Sequence, residues 1–265
     1  MARTDYNPTR GSKPLGNHQT SWIWGRHLVQ ETLRAGYWPV LELWLADDLS
    51  ESQASEMSAL ANTAGVPVYR APRGSLVSRC RGEDHQGYAA KMAEYPYHAA
   101  DSIWHRESRW PFAIALDRIQ DPFNFGTMLR SAEIFDVQGV FLGSREQVGV
   151  TSQVARSSVG AINRLAIARV PDLGSYLGSI KERVTIVAAS EKSAIPVNEF
   201  DFCSSRPVLV VIGNEGRGIS AEVLRECHAE VRIPQAGTLN SLNAAAALAI
   251  ICYEARRQQA TRGPT

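Results

Sequence analysis

Three stretches of this chain put small, amide and charged residues where a strand gives way to a helix. In DRIQDPFNFGTMLRSAE (117–133) an apolar run ends near Ile119. A proline-containing turn follows, then Asn124 and Gly126, and then a stretch of helical spacing that contains Arg130. By themselves Asn124 and Gly126 could do no more than shape a turn. In VLVVIGNEGRGIS (208–220) an apolar strand runs into Gly213, Gly216 and Gly218. Glycines at such a place let a ligand approach the backbone, whose N–H groups can bind it. The G-x-x-G-x-G spacing is not the dinucleotide fingerprint, and the Gly-Lys-Ser/Thr ending of a P-loop is missing. Glu215 within the loop would repel a polyphosphate, so a neutral or cationic ligand is expected. In RIPQAGTLNSLNAAAALAII (232–251) a strand ends at Pro234 and QAGTLNSLN makes a loop. Ser241 or Asn240 is expected to cap the next helix, and the alanines at 244–247 and 249 make that helix slim enough for close packing.

The elements that must position these loops alternate. Over 111–257 the apolar runs FAIALDRI, GVFLGS, LAIARV, VTIVAAS, VLVVIGN and AEVRIP are separated by helix-like stretches such as GTMLRSAEIFD, SQVARSSVGAI and ISAEVLREC. Strands alternating with helices imply a parallel sheet covered on both faces, with the active site in loops at the carboxyl ends of the strands. A smaller α/β/α pattern occupies 21–92, with HLVQETL and LSESQASEMSALANTAG as helices and VLELWLA, VPVYRA and GYAAKMA as strands. The stretch 93–110 loses this periodicity and is expected to be a linker that docks on something. Residues 1–20 are polar and punctuated by Pro and Gly, and read as a disordered tail; 258–265 read as a C-terminal tail.

With 265 residues, 44% of them hydrophobic, the chain can build one large or two modest domains. A net charge of +1 does not announce a nucleic-acid binder. Of the 28 cations, however, only Lys13, Lys91, Lys181 and Lys192 are lysines, which leaves 24 arginines. Arginine suits bidentate phosphate contacts, although a GC-rich genome would give the same bias. Cys80, Cys203, Cys227 and Cys252 are scattered, which suggests neither a metal site nor a disulfide framework and fits a reducing cytosol. No stretch has the shape of a signal peptide, and the apolar run near 244–253 falls short of the ~20 residues a membrane span needs. The expectation is a cytoplasmic protein without metal or membrane partner.

In this order and on these elements, the three loops resemble the motifs of the SpoU/TrmH family of SPOUT RNA methyltransferases. The matching residues are Asn124, Gly126 and Arg130; Gly213-Asn214-Glu215-Gly216-x-Gly218; and Ile233-Pro234, Gly237 and Ser241-Leu242-Asn243. IWGRHLVQETLRAG resembles the family's opening segment, and HQGYAA (85–90) its HQG strand, so the resemblance covers about 21–257. Within the family the chain looks most like the branch that methylates guanosine 2′-hydroxyls of 23S rRNA.

That resemblance implies a C-terminal parallel sheet with a deep trefoil knot, preceded by a small α/β domain similar to ribosomal protein L30e that binds the RNA substrate. It implies a homodimer that uses S-adenosylmethionine to methylate a ribose 2′-hydroxyl. Cofactor contacts would come from Gly213, Asn214, Gly216, Ile233 and Leu242, mostly through main chain. Asn124, Glu215, Ser241 and Asn243 would organise the catalytic pocket, with Arg130 the principal catalytic residue. Arg130 either helps to deprotonate the hydroxyl or holds a phosphate and the developing alkoxide; its high pKa makes it a poor base. One departure is Ala245, where the family commonly has serine or threonine.

For RNA contacts, YRAPRGSLVSRCRG (69–82) offers Arg70, Arg73, Arg79 and Arg81 with no acid among them, either as an RNA-facing surface or as an ordinary solvated one. Trp104 and Trp110 could stack on bases or pack in the fold, and His85 is expected to be structural. The same reaction on tRNA, or on rRNA as antibiotic resistance, stays open, as does a non-catalytic RNA-binding or ribosome-assembly factor. Intact Arg130, Glu215 and Asn243 weigh against the last.

Overall fold

The computed structural model of the protein describes residues 21–238 and 241–263. The tail expected at 1–20, and Asn240 as a helix cap, lie outside the described residues. The chain forms two units: one holds its residues up to Pro96 together with Val150–Asn163, the other Tyr97–Gly149 and Arg164 onward.

The first unit begins with β1 (Trp22–Trp24), α1 (Arg26–Ala35), β2 (Val40–Ala46), α2 (Glu51–Thr63), β3 (Val68–Ala71), α3 (Arg73–Cys80) and β4 (Tyr88–Met92). Its sheet has the order β1-β4-β2-β3, with β2 and β3 parallel and β4 antiparallel to both its neighbours. Helix α2 starts where the sequence supplies a reciprocal cap: Ser50 accepts from the Gln53 N–H, and Gln53 accepts from the Ser50 N–H. Val29 and Leu33 of α1 are buried, as their helical spacing predicts. The HQG segment is a turn. His85 is buried and its Nδ1 accepts from the Gly87 N–H at 3.0 Å, while the Gln86 side chain accepts from the first N–H of α1 at 3.0 Å. Burial pushes the His85 imidazole below its ordinary pKa, which keeps Nδ1 an acceptor.

The second unit contains β5 (Phe112–Asp117), α4 (Pro122–Ile134) and β6 (Gly139–Leu142). The chain then visits the first unit with α5 (Ser152–Ser157) and returns for β7 (Ala166–Arg169), α6 (Leu173–Ile180), β8 (Thr185–Ala189), β9 (Val208–Gly213), α7 (Ala221–Leu224), β10 (Ala229–Val231) and α8 (Ala244–Thr261). The sheet is β10-β8-β9-β5-β6-β7, and every pair is parallel. All six apolar runs of the sequence are its strands. Strands β5 and β6 are buried throughout, and β9 up to its last residue, because helices cover both faces.

Four boundaries differ from the sequence expectation. Strand β1 was not anticipated, being only three residues long. Residues 150–163 belong to the first unit rather than the second. Arg156 pairs with Asp84, Tyr95 donates to the Ile162 carbonyl at 2.8 Å, and Asn163 donates to Thr32 at 3.1 Å. The linker stretch splits at residue 96, and its later part holds a 3₁₀ turn, Ala100–His105. There Trp104 stacks on Phe141 with centroids 5.5 Å apart, and Trp110 is buried, so both tryptophans pack in the fold. Finally, α8 runs past 257 because Gln259 is buried and Gln258 bonds the backbone of Phe200 and Phe202.

Candidate functional site

The first loop is helical earlier than its sequence suggests. Asp121 caps α4 by accepting from the Phe123 and Asn124 N–H groups at 3.1 and 3.2 Å, and Pro122 takes the first helical position. Asn124 and Gly126 therefore sit inside the helix rather than in a turn. The Asp-Pro pair was the signal for this start. Arg130 is exposed on the same helix, and among the described residues nothing pairs with it.

The second loop follows β9. Asn214 builds it: Oδ1 accepts from the Gly216 and Arg217 N–H groups at 2.9 and 3.0 Å, Nδ2 donates to the Arg118 carbonyl at 3.0 Å, and the backbone exchanges two bonds with Gly218. This fold of the loop dictates glycine at 213. A Cβ there would stand 2.4 Å from the Gly218 carbonyl carbon and from the Ile219 nitrogen. Gly218 has a left-handed backbone, φ +67°. Asp117, buried at the end of β5, accepts from the Ser220 N–H at 2.6 Å and anchors the loop's far side. The sequence reading missed that acid; its only signal was a carboxylate at the end of an apolar strand.

The third loop ends in a cap supplied by Asn243, not by Ser241. Its Oδ1 accepts from the Ala245 and Ala246 N–H groups at 2.9 and 3.2 Å. Asn243 stands immediately before the helix, where such geometry is possible. Ala245 is buried and gives its N–H to this cap. Ser241 and Leu242 are exposed and Ile233 is half-buried.

The three loops are joined by side chains. Asn124 Nδ2 donates to Glu215 Oε1 at 2.7 Å, and Asn243 Nδ2 donates to Asn124 Oδ1 at 3.1 Å. Each amide thus has a defined orientation, and the Glu215 carboxylate is held at the exposed end of the chain of bonds. Helices α4 and α8 run parallel along this cluster. Asn124 and Asn243 meet at their amino ends, and at the other end Arg256 Nε donates to the Phe135 carbonyl at 2.5 Å, just past α4. The structure so brings Asn124, Glu215 and Asn243 into contact and gives Gly213 and Asn214 a role in shaping the loop, while Ser241 has no bonded partner among the described residues. Among the described residues no cluster of His, Cys, Asp or Glu could hold a metal ion.

Chemically, the cluster presents a fixed carboxylate and an exposed apolar side chain. The N–H groups of Gly216, Arg217 and Gly218 are already bonded to Asn214, so the loop offers a ligand its close approach and its remaining carbonyls rather than those donors. A Cβ added at Gly237 would meet nothing within 4 Å, and one at Gly216 only Asn214 Oδ1 at 3.6 Å. Leu242 offers apolar surface. Such surroundings suit a ligand that carries apolar surface and a positive charge.

The four arginines expected at an RNA surface lie in the first unit. Arg70 donates to the Asp47 main-chain carbonyl and Arg73 pairs with the Asp48 carboxylate, so one acid from the β2–α2 turn meets a segment that has none of its own. Arg81 ends α3 in a left-handed conformation, and Arg79 lies over the Trp44 ring.

Comparison with known proteins agrees with this geometry. Residues 111–253 match the family model of the SpoU rRNA methylases, and residues 22–98 match that of the RNA 2′-O ribose methyltransferase substrate-binding domain. A putative TrmH family tRNA/rRNA methyltransferase of Bacillus subtilis is 32% identical over 92% of this chain and 98% of its own. The SpoU methyltransferase AviRb of Streptomyces viridochromogenes, solved with AdoMet, superposes with a TM-score of 0.78 at 29% identity, over 93% of this chain and 95% of its own. An AdoMet-bound rRNA methyltransferase of Sinorhizobium meliloti gives a TM-score of 0.77 at 27% identity, over 90% and 87% of the two chains.

Proposed function

The chain belongs to the SpoU/TrmH family of RNA methyltransferases, and from that premise we propose that it methylates a ribose 2′-hydroxyl of structured RNA in the cytoplasm, with 23S rRNA as the target and S-adenosylmethionine as the methyl donor. The observation that carries this reading is the bonded chain Asn243–Asn124–Glu215, which unites the three motif loops at one place. The rRNA target is favoured by the Sinorhizobium rRNA methyltransferase, whose likeness spans 90% of this chain.

The bound cofactor supplies an activated methyl group on a cationic sulfonium. The chain's own residues have to hold a hydroxyl in line with it, which is catalysis by proximity. The loop built by Asn214 offers main chain at Gly213 and Gly216 to the cofactor, and Ile233 and Leu242 offer apolar surface. Glu215, oriented by Asn124, favours a cation over a polyphosphate. Asn243 fixes Asn124 from the other side, and the exposed Ser241 is available to the substrate. A guanidinium offers N–H donors and no acceptor; Arg130 holds a target phosphate and stabilises the alkoxide as it develops.

A homodimer and the family's deep knot belong to the same proposal. The dimer is supported by an apolar exposure along α4 and α8: Phe123, Ile134, Ile250 and Tyr253 all face solvent. Mapping 2′-O-methyl groups across rRNA and tRNA in a strain lacking the gene tests the function. Loss of one mark in 23S rRNA is expected. Loss of a tRNA mark instead would move the target, and loss of none would overturn the enzymatic reading.

A further inference from the structure

The sheet of the first unit carries an aromatic row that the methyl-transfer site does not use. Trp24, Ala89, Trp44 and Tyr69 are successive partners across β1, β4, β2 and β3, so their side chains share one face. On that face the guanidinium carbon of Arg79 sits 3.7 Å from the Trp44 ring centroid. Tyr69 stacks on the same tryptophan with centroids 4.8 Å and planes 26° apart. Two groups cannot occupy one face of a ring, so Trp44 is held between Arg79 and Tyr69.

The inner part of this stack is fixed. Arg79 Nη1 donates to the Ser75 carbonyl at 2.8 Å, and Trp44 Nε1 donates to Glu42 at 2.9 Å, which also pairs with Lys91 at 2.8 Å. At the far end of the row Trp24 is already covered, by Arg156 at 4.2 Å, and donates to Asp84. The outer end is different. Tyr69 lies on the edge strand β3, is 43% exposed, and among the described residues has only Trp44 stacked on it. A preorganised column of cation, indole and phenol thus ends in a flat ring open to solvent; the next strand residue, Arg70, points to the opposite face of the sheet and donates to the Asp47 carbonyl.

We propose that Arg79, Trp44 and Tyr69 form a stacking platform whose outer plane, Tyr69, takes an unpaired base of the RNA substrate. An aromatic face accepts any base, which is how single strands are bound without sequence preference. Paired RNA offers no free base face, so the platform selects loops, bulges or ends. The column is held together before the RNA arrives, which lowers the ordering cost of binding. The match of residues 22–98 to an RNA substrate-binding domain places this face in the unit where such contacts belong. The inference rests on reading the protein as an RNA methyltransferase, but its test needs no methyl transfer.

The full-length protein is titrated with a short single-stranded oligoadenylate carrying one 2-aminopurine, and with a duplex of the same length. Tyr69→Ala should weaken single-strand binding by about 5- to 150-fold and abolish 2-aminopurine quenching, with duplex binding unchanged. Tyr69→Phe should behave as wild type. Tyr69→Leu, which keeps apolar contact with Trp44 and so guards against a folding failure, should be as weak as the alanine variant. Single-strand binding within two-fold of wild type in Tyr69→Leu, or no single-strand binding by the wild type, would overturn the platform. Methyl transfer to rRNA is read separately on the same preparations. A wild type that binds through Tyr69 but transfers no methyl group would sink the functional reading and leave the platform standing.

Discussion

At the scale of single residues, the site separates groups that build from groups that act. Asn214 and Gly213 spend their chemistry on the shape of one loop. Asn124 and Asn243 spend theirs on each other and on Glu215. Arg130 is exposed and bonded to nothing described, so its guanidinium is free for the phosphate-holding role proposed for it. Its replacement by alanine should lower methyl transfer by roughly 10²–10³-fold, as loss of a charge-stabilising donor does. Arg130→Lys keeps the charge and loses the planar fork, so it too should fall well below wild type. A lysine variant with full turnover would count against the bidentate role. Ala245 is buried, where a side chain without a hydroxyl leaves no polar atom to satisfy.

At the scale of elements, α4 and α8 matter most. They run parallel, joined at one end by Asn124 and Asn243 and at the other by Arg256, which bonds the backbone at Phe135 and Asp136 where the carbonyls of α4 lack helical partners. The exposed positions of α4 are Phe123, Thr127, Arg130 and Ile134, at helical spacing, so Arg130 shares a face with two apolar side chains. Ile134 is 62% exposed and Tyr253 of α8 58%. Apolar surface of this kind marks an interaction site. The proposed dimer would use it, and sedimentation should find two copies of the wild-type chain in each particle. Ile134→Glu combined with Tyr253→Glu should give monomers with an unchanged circular dichroism spectrum; a dimer that survives both changes would place the interface elsewhere.

At the scale of the whole molecule, the sequence was most legible where the signal was local. Each strand of the large sheet announced itself as an apolar run, because burial on both faces removes any need for alternation. The reading failed where structure depends on distant partners. Nothing near Arg156 shows that residues 150–163 belong with a sheet whose Asp84 lies 72 positions earlier. Strand β1 is too short to show a period, and Pro122 fits a turn as well as the first position of a helix, which hides the start of α4. The site was legible as three sets of residue types, through resemblance. Its assembly was not, since its two bonds join residues 91 and 119 positions apart.

The central claim is that these three loops make one site for S-adenosylmethionine. Calorimetric titration of the purified protein with S-adenosylmethionine, with and without rRNA, tests it most directly. Saturable binding at one site per chain is predicted for the wild type, and weakened binding for Asn124→Ala, which breaks both bonds of the cluster at once. No binding in either condition, or an Asn124→Ala variant indistinguishable from wild type, would contradict the account.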